Sequence, residues 1–163
     1  MSDCCKVKGE TPQGESCPQC HARGKSVPDE TPRALLEESS RRRLGARPYF
    51  YCRTPTCDVV YFDGAGDVFR KDELRVRVGD KETSPPIPVC YCFGHTVGSI
   101  EEEILSTGTT NVLERIRAEV KAGTCRCEVE NPQGSCCLGN VTRAVQSLLG
   151  VHPRTARTGT GGS

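Results

Sequence analysis

Cys90-Tyr91-Cys92, a gap of about thirty residues, then Cys125-Arg126-Cys127 and Cys136-Cys137 gather six thiols at the two ends of one short segment. Thiolates grouped in this way are ligands for soft or borderline metal ions and for iron-sulfur clusters. A second group precedes them. Cys17-Pro18-Gln19-Cys20 forms a knuckle that can put two sulfurs on one metal, and Cys52 and Cys57 can supply two more from a hairpin turn. Four thiolates satisfy tetrahedral zinc, and a closed site of this kind is structural. The Cys52–Cys57 spacing is wider than the usual two-residue gap. His21 could replace one thiolate, although a polar residue just after a knuckle reads first as solvated. Cys4 and Cys5 are left over: adjacent thiols can bind a soft ion such as Cu(I), or they are free thiols, or they substitute for a zinc ligand.

The chain has 12 cysteines in 163 residues and opens on the polar run Met1-Ser2-Asp3-Cys4-Cys5-Lys6, with no apolar leader. We therefore expect a reducing, cytoplasmic setting in which clustered thiols hold metal and are not paired as disulfides. At 35% hydrophobic residues, with no Trp and one Met, the chain can build one modest core or two small ones, and bound metal is expected to add folding energy. The formal charge is +1. Ionising about eight thiolates around one Zn2+ and one oxidised Fe2S2 core of about +2 would bring it to roughly −3. A basic nucleic-acid footprint is thus not expected, and Arg41-Arg42-Arg43, Arg154 and Arg157 read as solvated surface. The sequence has no run of some 20 apolar residues for a membrane span. It offers no Ser-His-Asp set or Gly-rich phosphate loop that would indicate an enzyme.

The elements that must position these thiols fall on either side of Ser84-Pro85-Pro86-Ile87-Pro88, where three prolines favour an extended connector. We expect an α+β chain: a β-rich lobe over 1–84, a helical lobe over 88–150 and a disordered tail over 151–163. In the first lobe Thr31-Pro32 reads as the N-cap and first residue of a helix carrying Ala34, Leu35 and Leu36. Tyr49–Cys52 and Cys57–Phe62 read as strands around Thr54-Pro55-Thr56, and the alternation of Leu74, Val76 and Val78 suggests another. In the second lobe Thr96 caps a helix with Val97, Ile100 and Ile104 that ends at Gly108. A second carries Val112 or Leu113, Ile116 and Val120 and ends at Gly123. A third carries Val141, Ala144, Val145, Leu148 and Leu149 and ends at Gly150.

If the first two of these helices form a hairpin, the thiols at its ends converge. Four thiolates from two loops suit a [2Fe-2S] cluster, and a second zinc site could use the same loops. Cys136 and Cys137 fall at the start of the third helix, where the helix dipole favours thiolate. His95 follows Cys90–Cys92 closely enough to lie near the centre, but one histidine falls short of a Rieske ligand pair and it reads as a polar residue preceding a helix.

Val89-Cys90-Tyr91-Cys92-Phe93, Ala122-Gly123-Thr124-Cys125-Arg126-Cys127-Glu128 and Asn131-Pro132-Gln133-Gly134-Ser135-Cys136-Cys137 resemble the amino-terminal domain of CopZ-type copper chaperones, whose helical half looks like bacterioferritin-associated ferredoxin. Cys17-Pro18-Gln19-Cys20, Gly24-Lys25 and Tyr51-Cys52 through Cys57–Phe62 resemble that family's zinc-binding part. The resemblance implies a zinc-ribbon-like lobe holding Zn2+ through Cys17, Cys20, Cys52 and Cys57, followed by a helical [2Fe-2S] lobe. It implies Cys90 and Cys92 as cluster ligands, with one of Cys125 or Cys127 and one of Cys136 or Cys137. Cys127 and Cys137 keep the family's separation better. Full-length chaperones of this type end in a copper-binding domain with a Met-x-Cys-x-x-Cys loop, whereas the Cys-x-x-Cys of this sequence is Cys17–Cys20.

The function implied is one-electron transfer linked to copper handling, for example reduction of Cu(II) to Cu(I), with Cu(I) held by Cys4 and Cys5. Its partners would be an electron donor protein or reductant and a copper chaperone or copper-transporting P-type ATPase, with no nucleic acid and no membrane insertion. A non-redox soft-metal carrier and a zinc-only interaction module are the other readings of the same thiols.

Overall fold

The computed structural model describes residues 13–151. Its first half is a five-stranded antiparallel meander in chain order: β1 (Gln13–Ser16), β2 (Arg23–Val27), β3 (Tyr49–Tyr51), β4 (Val59–Phe62) and β5 (Val68–Arg70). Two short helices, α1 (Glu30–Leu35) and α2 (Glu38–Arg41), lie between β2 and β3. All four residues of β4 are buried, because this strand serves two clusters. Val60 and Tyr61 join Leu35, Leu36, Tyr49, Tyr51, Phe69 and Val78 in the main core, while Val59 and Phe62 pack with Cys17, Cys52 and Cys57. An irregularity in the β4–β5 register between Val59 and Tyr61 breaks the strict two-residue alternation that would otherwise send neighbours to opposite faces.

The second half begins with a small ladder, β6 (Pro88–Cys90) and β7 (His95–Thr96). Helices α3 (Val97–Thr107), α4 (Val112–Lys121), α5 (Cys127–Glu130) and α6 (Leu138–Val151) follow. Thr96 caps α3 as expected: its hydroxyl accepts from the Ser99 amide at 3.1 Å, and the Ser99 hydroxyl accepts from the Thr96 amide at 3.0 Å. Ile100 and Ile104, Val112 and Ile116, and Val141, Val145 and Leu148 supply one stripe from each long helix to a core that also contains Cys90, Cys125, Cys127 and Cys137. The thiols thus close one end of this core. No helix among the described residues is long and apolar enough to cross a membrane.

Three local expectations are corrected. Thr31 does not cap α1. Asp29 holds that position without a side-chain cap, and the fully buried Thr31 hydroxyl donates at 2.6 Å to the carbonyl of Glu128. The Leu74–Val78 alternation does not form a strand: Leu74 makes only an isolated bridge to Leu36, because the backbone there curls between 3-10 turns at Lys71–Glu73 and Gly79–Lys81. Alternation reports which side chains are buried, and an irregular segment laid over a core satisfies it equally well. The third helix runs past Gly150 to Val151. The sequence reading also did not anticipate β1, β2, β5 and the short α5, whose runs of three to five residues carry little periodic signal.

The two halves meet along the segment 127–136. Helix α1 packs on α5, and the buried Tyr61 hydroxyl donates to the Pro132 carbonyl at 2.6 Å. Gly134 sits at φ +66°, and a Cβ there would lie 2.8 Å from both Pro28 Cδ and Thr31 Oγ1. Only glycine allows this turn and this approach together. Tyr61→Phe removes one oxygen and leaves the Pro132 carbonyl buried without its partner, so a loss of about 1–2 kcal/mol in denaturant stability is expected. An unchanged midpoint would mean that the seam does not contribute to folding.

Candidate metal centres

The first centre grows from two turns. Between β1 and β2 the chain reverses through Cys17–His21, with the Cys17 amide donating to Ala22 O and the His21 amide to Cys17 O, each at 2.8 Å. His21 takes the left-handed φ of 64° that closes this knuckle. Between β3 and β4, Cys52 N donates to Val60 O at 2.8 Å and Cys57 N to Thr54 O at 3.1 Å. The β2–β3–β4 pairing brings the two turns to one end of the sheet.

There the sulfurs of Cys17, Cys20, Cys52 and Cys57 all lie within 4.8 Å of one another. Cys17 Sγ is 3.9 Å from Cys57 Sγ, and Cys20 Sγ is 3.5 Å from Cys52 Sγ. Four sulfurs about 2.3 Å from a central zinc would be about 3.8 Å apart at tetrahedral angles, so the set fits this ion. His21 is exposed and lies outside the group.

Burial raises Cys52 to about 12 and also pushes Cys57 up. At Cys20 burial acts upward too, but hydrogen bonds from Thr54 and Ala22, with others from Cys52 and Cys17, outweigh it and hold that thiol at about 6. Protons on Cys52 and Cys57 compete with metal, so zinc affinity must rise with pH.

Two groups that sequence reasoning passed over complete this centre. Thr54 Oγ1 hydrogen-bonds the Cys20 sulfur at 3.2 Å. Lys81, only 4% exposed, sends Nζ to Thr54 O at 2.7 Å and to Cys57 O at 3.0 Å, and sits 5.7 Å from the centre of the Tyr51 ring. Four thiolates on Zn2+ leave a net charge of about −2, which this buried cation offsets. In Gly79-Asp80-Lys81-Glu82 a lysine looks solvated, and nothing local marks it. Replacing Lys81 with Met should lower stability by about 1–3 kcal/mol and speed zinc release to a chelator, since two carbonyls lose their donor. Wild-type release kinetics in that variant would remove Lys81 from the site.

The second cluster of thiols sits where β6, α5 and the start of α6 converge. Cys90 Sγ is 3.1 Å from Cys137 Sγ, and Cys92 Sγ is 3.5 Å from Cys127 Sγ. Cys136 also hydrogen-bonds Cys127, and Cys125 is buried in the same core. Cys92 Sγ accepts the Arg126 amide at 3.1 Å. Cys137 precedes α6, its carbonyl accepting the Val141 amide at 2.9 Å. Hydrogen bonding with Cys127 and Cys90 outweighs burial and holds Cys137 at about 4, while hydrogen bonding with Cys136, Cys137 and Cys92 together with burial drives Cys127 up. His95 lies in β7, held low first by burial and then by Arg115, with Cys137 close enough to act in the opposite sense. Cys4 and Cys5 lie outside the described residues.

A β meander closed by four convergent thiols, followed by a thiol-lined helical lobe, defines a zinc-binding metalloprotein. A family model described as a zinc binding domain, that of CopZ proteins, matches residues 14–75. The copper chaperone CopZ of Archaeoglobus fulgidus is 35% identical over 127 residues, covering 78% of this chain and 60% of that protein's length. The X-ray structure of the Archaeoglobus fulgidus CopZ N-terminal domain is similar with a TM-score of 0.66 at 35% identity, covering 78% of this chain and 95% of that one. The chain belongs to the CopZ family, and the region it shares is the zinc-binding amino-terminal part.

Proposed function

We propose that the helical lobe holds a [2Fe-2S] cluster through Cys90, Cys92, Cys127 and Cys137, and that the chain acts in one-electron transfer linked to copper handling. The observation that carries this reading is the pairing of the sulfurs: Cys90 with Cys137 at 3.1 Å and Cys92 with Cys127 at 3.5 Å. A single ion needs its donors around one point, and among the described residues the zinc-lobe set alone gathers three or more within 4.8 Å. Two pairs, joined through Cys127 and Cys137, suit a core of two metal atoms with two thiolates on each. Such a cluster, when bound, supplies one-electron redox chemistry at a potential set by nearby hydrogen bonds, charge and solvent exposure.

The chain's own groups do the tuning. The Arg126 amide donates to Cys92, and the start of α6 favours negative charge at Cys137. Cys125 and Cys136 are the alternate ligands. The zinc lobe, divided from the helical lobe at 84–88, braces the segment that carries Cys127 through the Thr31 and Tyr61 hydrogen bonds. The name of the similar Archaeoglobus protein, a copper chaperone, supports copper as cargo. An external donor would supply the electron that converts Cu(II) to Cu(I), with Cys4 and Cys5 as thiols for the product and a copper-transporting P-type ATPase as a partner, in the cytoplasm.

Anaerobic purification followed by iron, sulfide and zinc analysis, with EPR after dithionite, tests the reading. About two iron and one zinc per chain with an S = 1/2 signal are expected. Two zinc and no iron after cluster reconstitution would leave a zinc-only module.

A further inference from the structure

Between the two lobes lies a cleft of about 510 Å³ that touches the second thiol cluster only at Cys136. Its walls come from both halves: Lys25 on β2 and Arg53 beside the Cys52 turn on one side, and Gly139, Asn140 and Arg143 from α6 on the other. Among its lining residues are three cations and one carboxylate, Asp80, and that carboxylate is engaged by Gln133 and by the Tyr51 hydroxyl at 3.2 Å. Lys25 is bonded to the Ser135 hydroxyl, a neutral acceptor, and Arg143 to Asn140 Oδ1 at 2.5 Å. None of the three cations makes an ion pair among the described residues. The half-buried Lys25 ammonium faces the Arg53 guanidinium, with Asp80 and Cys136 acting in the opposite sense, and with Arg143 on the same concave wall the cleft holds more cations than carboxylates, an arrangement that favours an anion. Helix α6 adds to it, since its amides at Gly139 and Asn140 fall in the first turn, where helices leave N–H groups without internal acceptors.

We infer that this interlobe cleft binds a small polyanion, of the phosphate-ester or polycarboxylate class, between Lys25, Arg53, Arg143 and the first turn of α6. The arginines meet paired oxygens of such groups in bidentate fashion, and Lys25 supplies a point charge at the base. The volume falls in the range of small-molecule sites and exceeds what a lone monovalent ion needs. Because both lobes contribute, occupancy also ties them together. The inference does not depend on which metal the helical lobe carries.

The test uses the full-length, metal-loaded chain titrated calorimetrically with pyrophosphate and, separately, with citrate, against sodium chloride at matched ionic strength. Saturable binding of at least one polyanion is expected, with Arg53 and Arg143 protected from phenylglyoxal modification and Arg41–Arg43 left reactive; which of the two binds tighter identifies the ligand class. Arg53→Gln with Arg143→Gln should weaken binding about tenfold or more, as expected for loss of charge-assisted hydrogen bonds. Gly139→Met keeps every charge and puts a side chain into open space, since a Cβ there meets only Arg143 Nη1 at 3.8 Å, and it should weaken binding comparably by blocking the cleft. Zinc stoichiometry for the sheet lobe and wild-type far-UV circular dichroism for the helices confirm that each variant has folded. The inference is overturned by any of three results: no saturable binding above the chloride control, phenylglyoxal protection that maps elsewhere, such as to Arg41–Arg43, or binding of an acidic peptide with neither small anion bound.

Discussion

Replacing Cys52 with serine is expected to empty the zinc centre and unfold the sheet lobe. Cys52 is fully buried, and its loop is tied to β4 by the Cys52 amide. The five strands are only three to five residues long, and one whole cluster of this lobe is Cys17, Cys52, Cys57, Val59 and Phe62. Without metal that cluster becomes a set of buried thiols with little apolar area to hold it. Structural zinc contributes about 10–16 kcal/mol of apparent binding energy in small domains, comparable to or larger than the whole stability of most domains at about 5–15 kcal/mol. Zinc analysis should fall from one ion per chain to near none, and the β-sheet amide signals should collapse together. His21→Ala should leave zinc content unchanged, because that side chain is exposed and outside the four-sulfur set. A folded, zinc-replete Cys52→Ser protein would overturn the assignment.

The second large effect concerns the helical lobe and rests on the proposed cluster. Cys127→Ser and Cys137→Ser should each reduce bound iron from about two per chain to near none, with loss of the visible spectrum. Each removes one member of a close sulfur pair, at 3.5 Å from Cys92 and 3.1 Å from Cys90. Cys125→Ser should retain iron, since Cys125 packs in the core while the close pairs form without it. Iron loss in Cys125→Ser with retention in Cys127→Ser would reverse the choice between these neighbours. Protein with neither iron nor colour in the wild type would place the failure in the cluster itself and not in the ligand choice.

Much of this was legible in the residues because it depends on spacing along the chain. A Cys-x-x-Cys knuckle closes its own turn, so Cys17 and Cys20 could be paired without knowing the sheet. The α3 cap at Thr96 and the αL glycine at 108 are likewise local, and both stand where the pattern put them. Reading failed where a residue's partner is distant. Thr31-Pro32 has the form of a helix start, yet the Thr31 hydroxyl reaches Glu128, 97 residues away. The alternation over Leu74–Val78 reported burial correctly and backbone shape wrongly.

The sequence by itself determined the chemistry this protein can hold: which side chains are thiols, how they are grouped and which loops and helices carry them. Tertiary structure decided which of them meet. Cys17 and Cys57 are 40 positions apart and Cys90 and Cys137 47 apart, and only the pairing of strands and the packing of α5 and α6 bring them within 3.9 and 3.1 Å. It also decided that Lys81 is buried against the zinc turns and that three cations from both lobes face one cleft. The reason is physical: ligand type and turn closure are short-range properties, whereas convergence of distant groups follows from burying two cores at once, to which no local segment of chain has access.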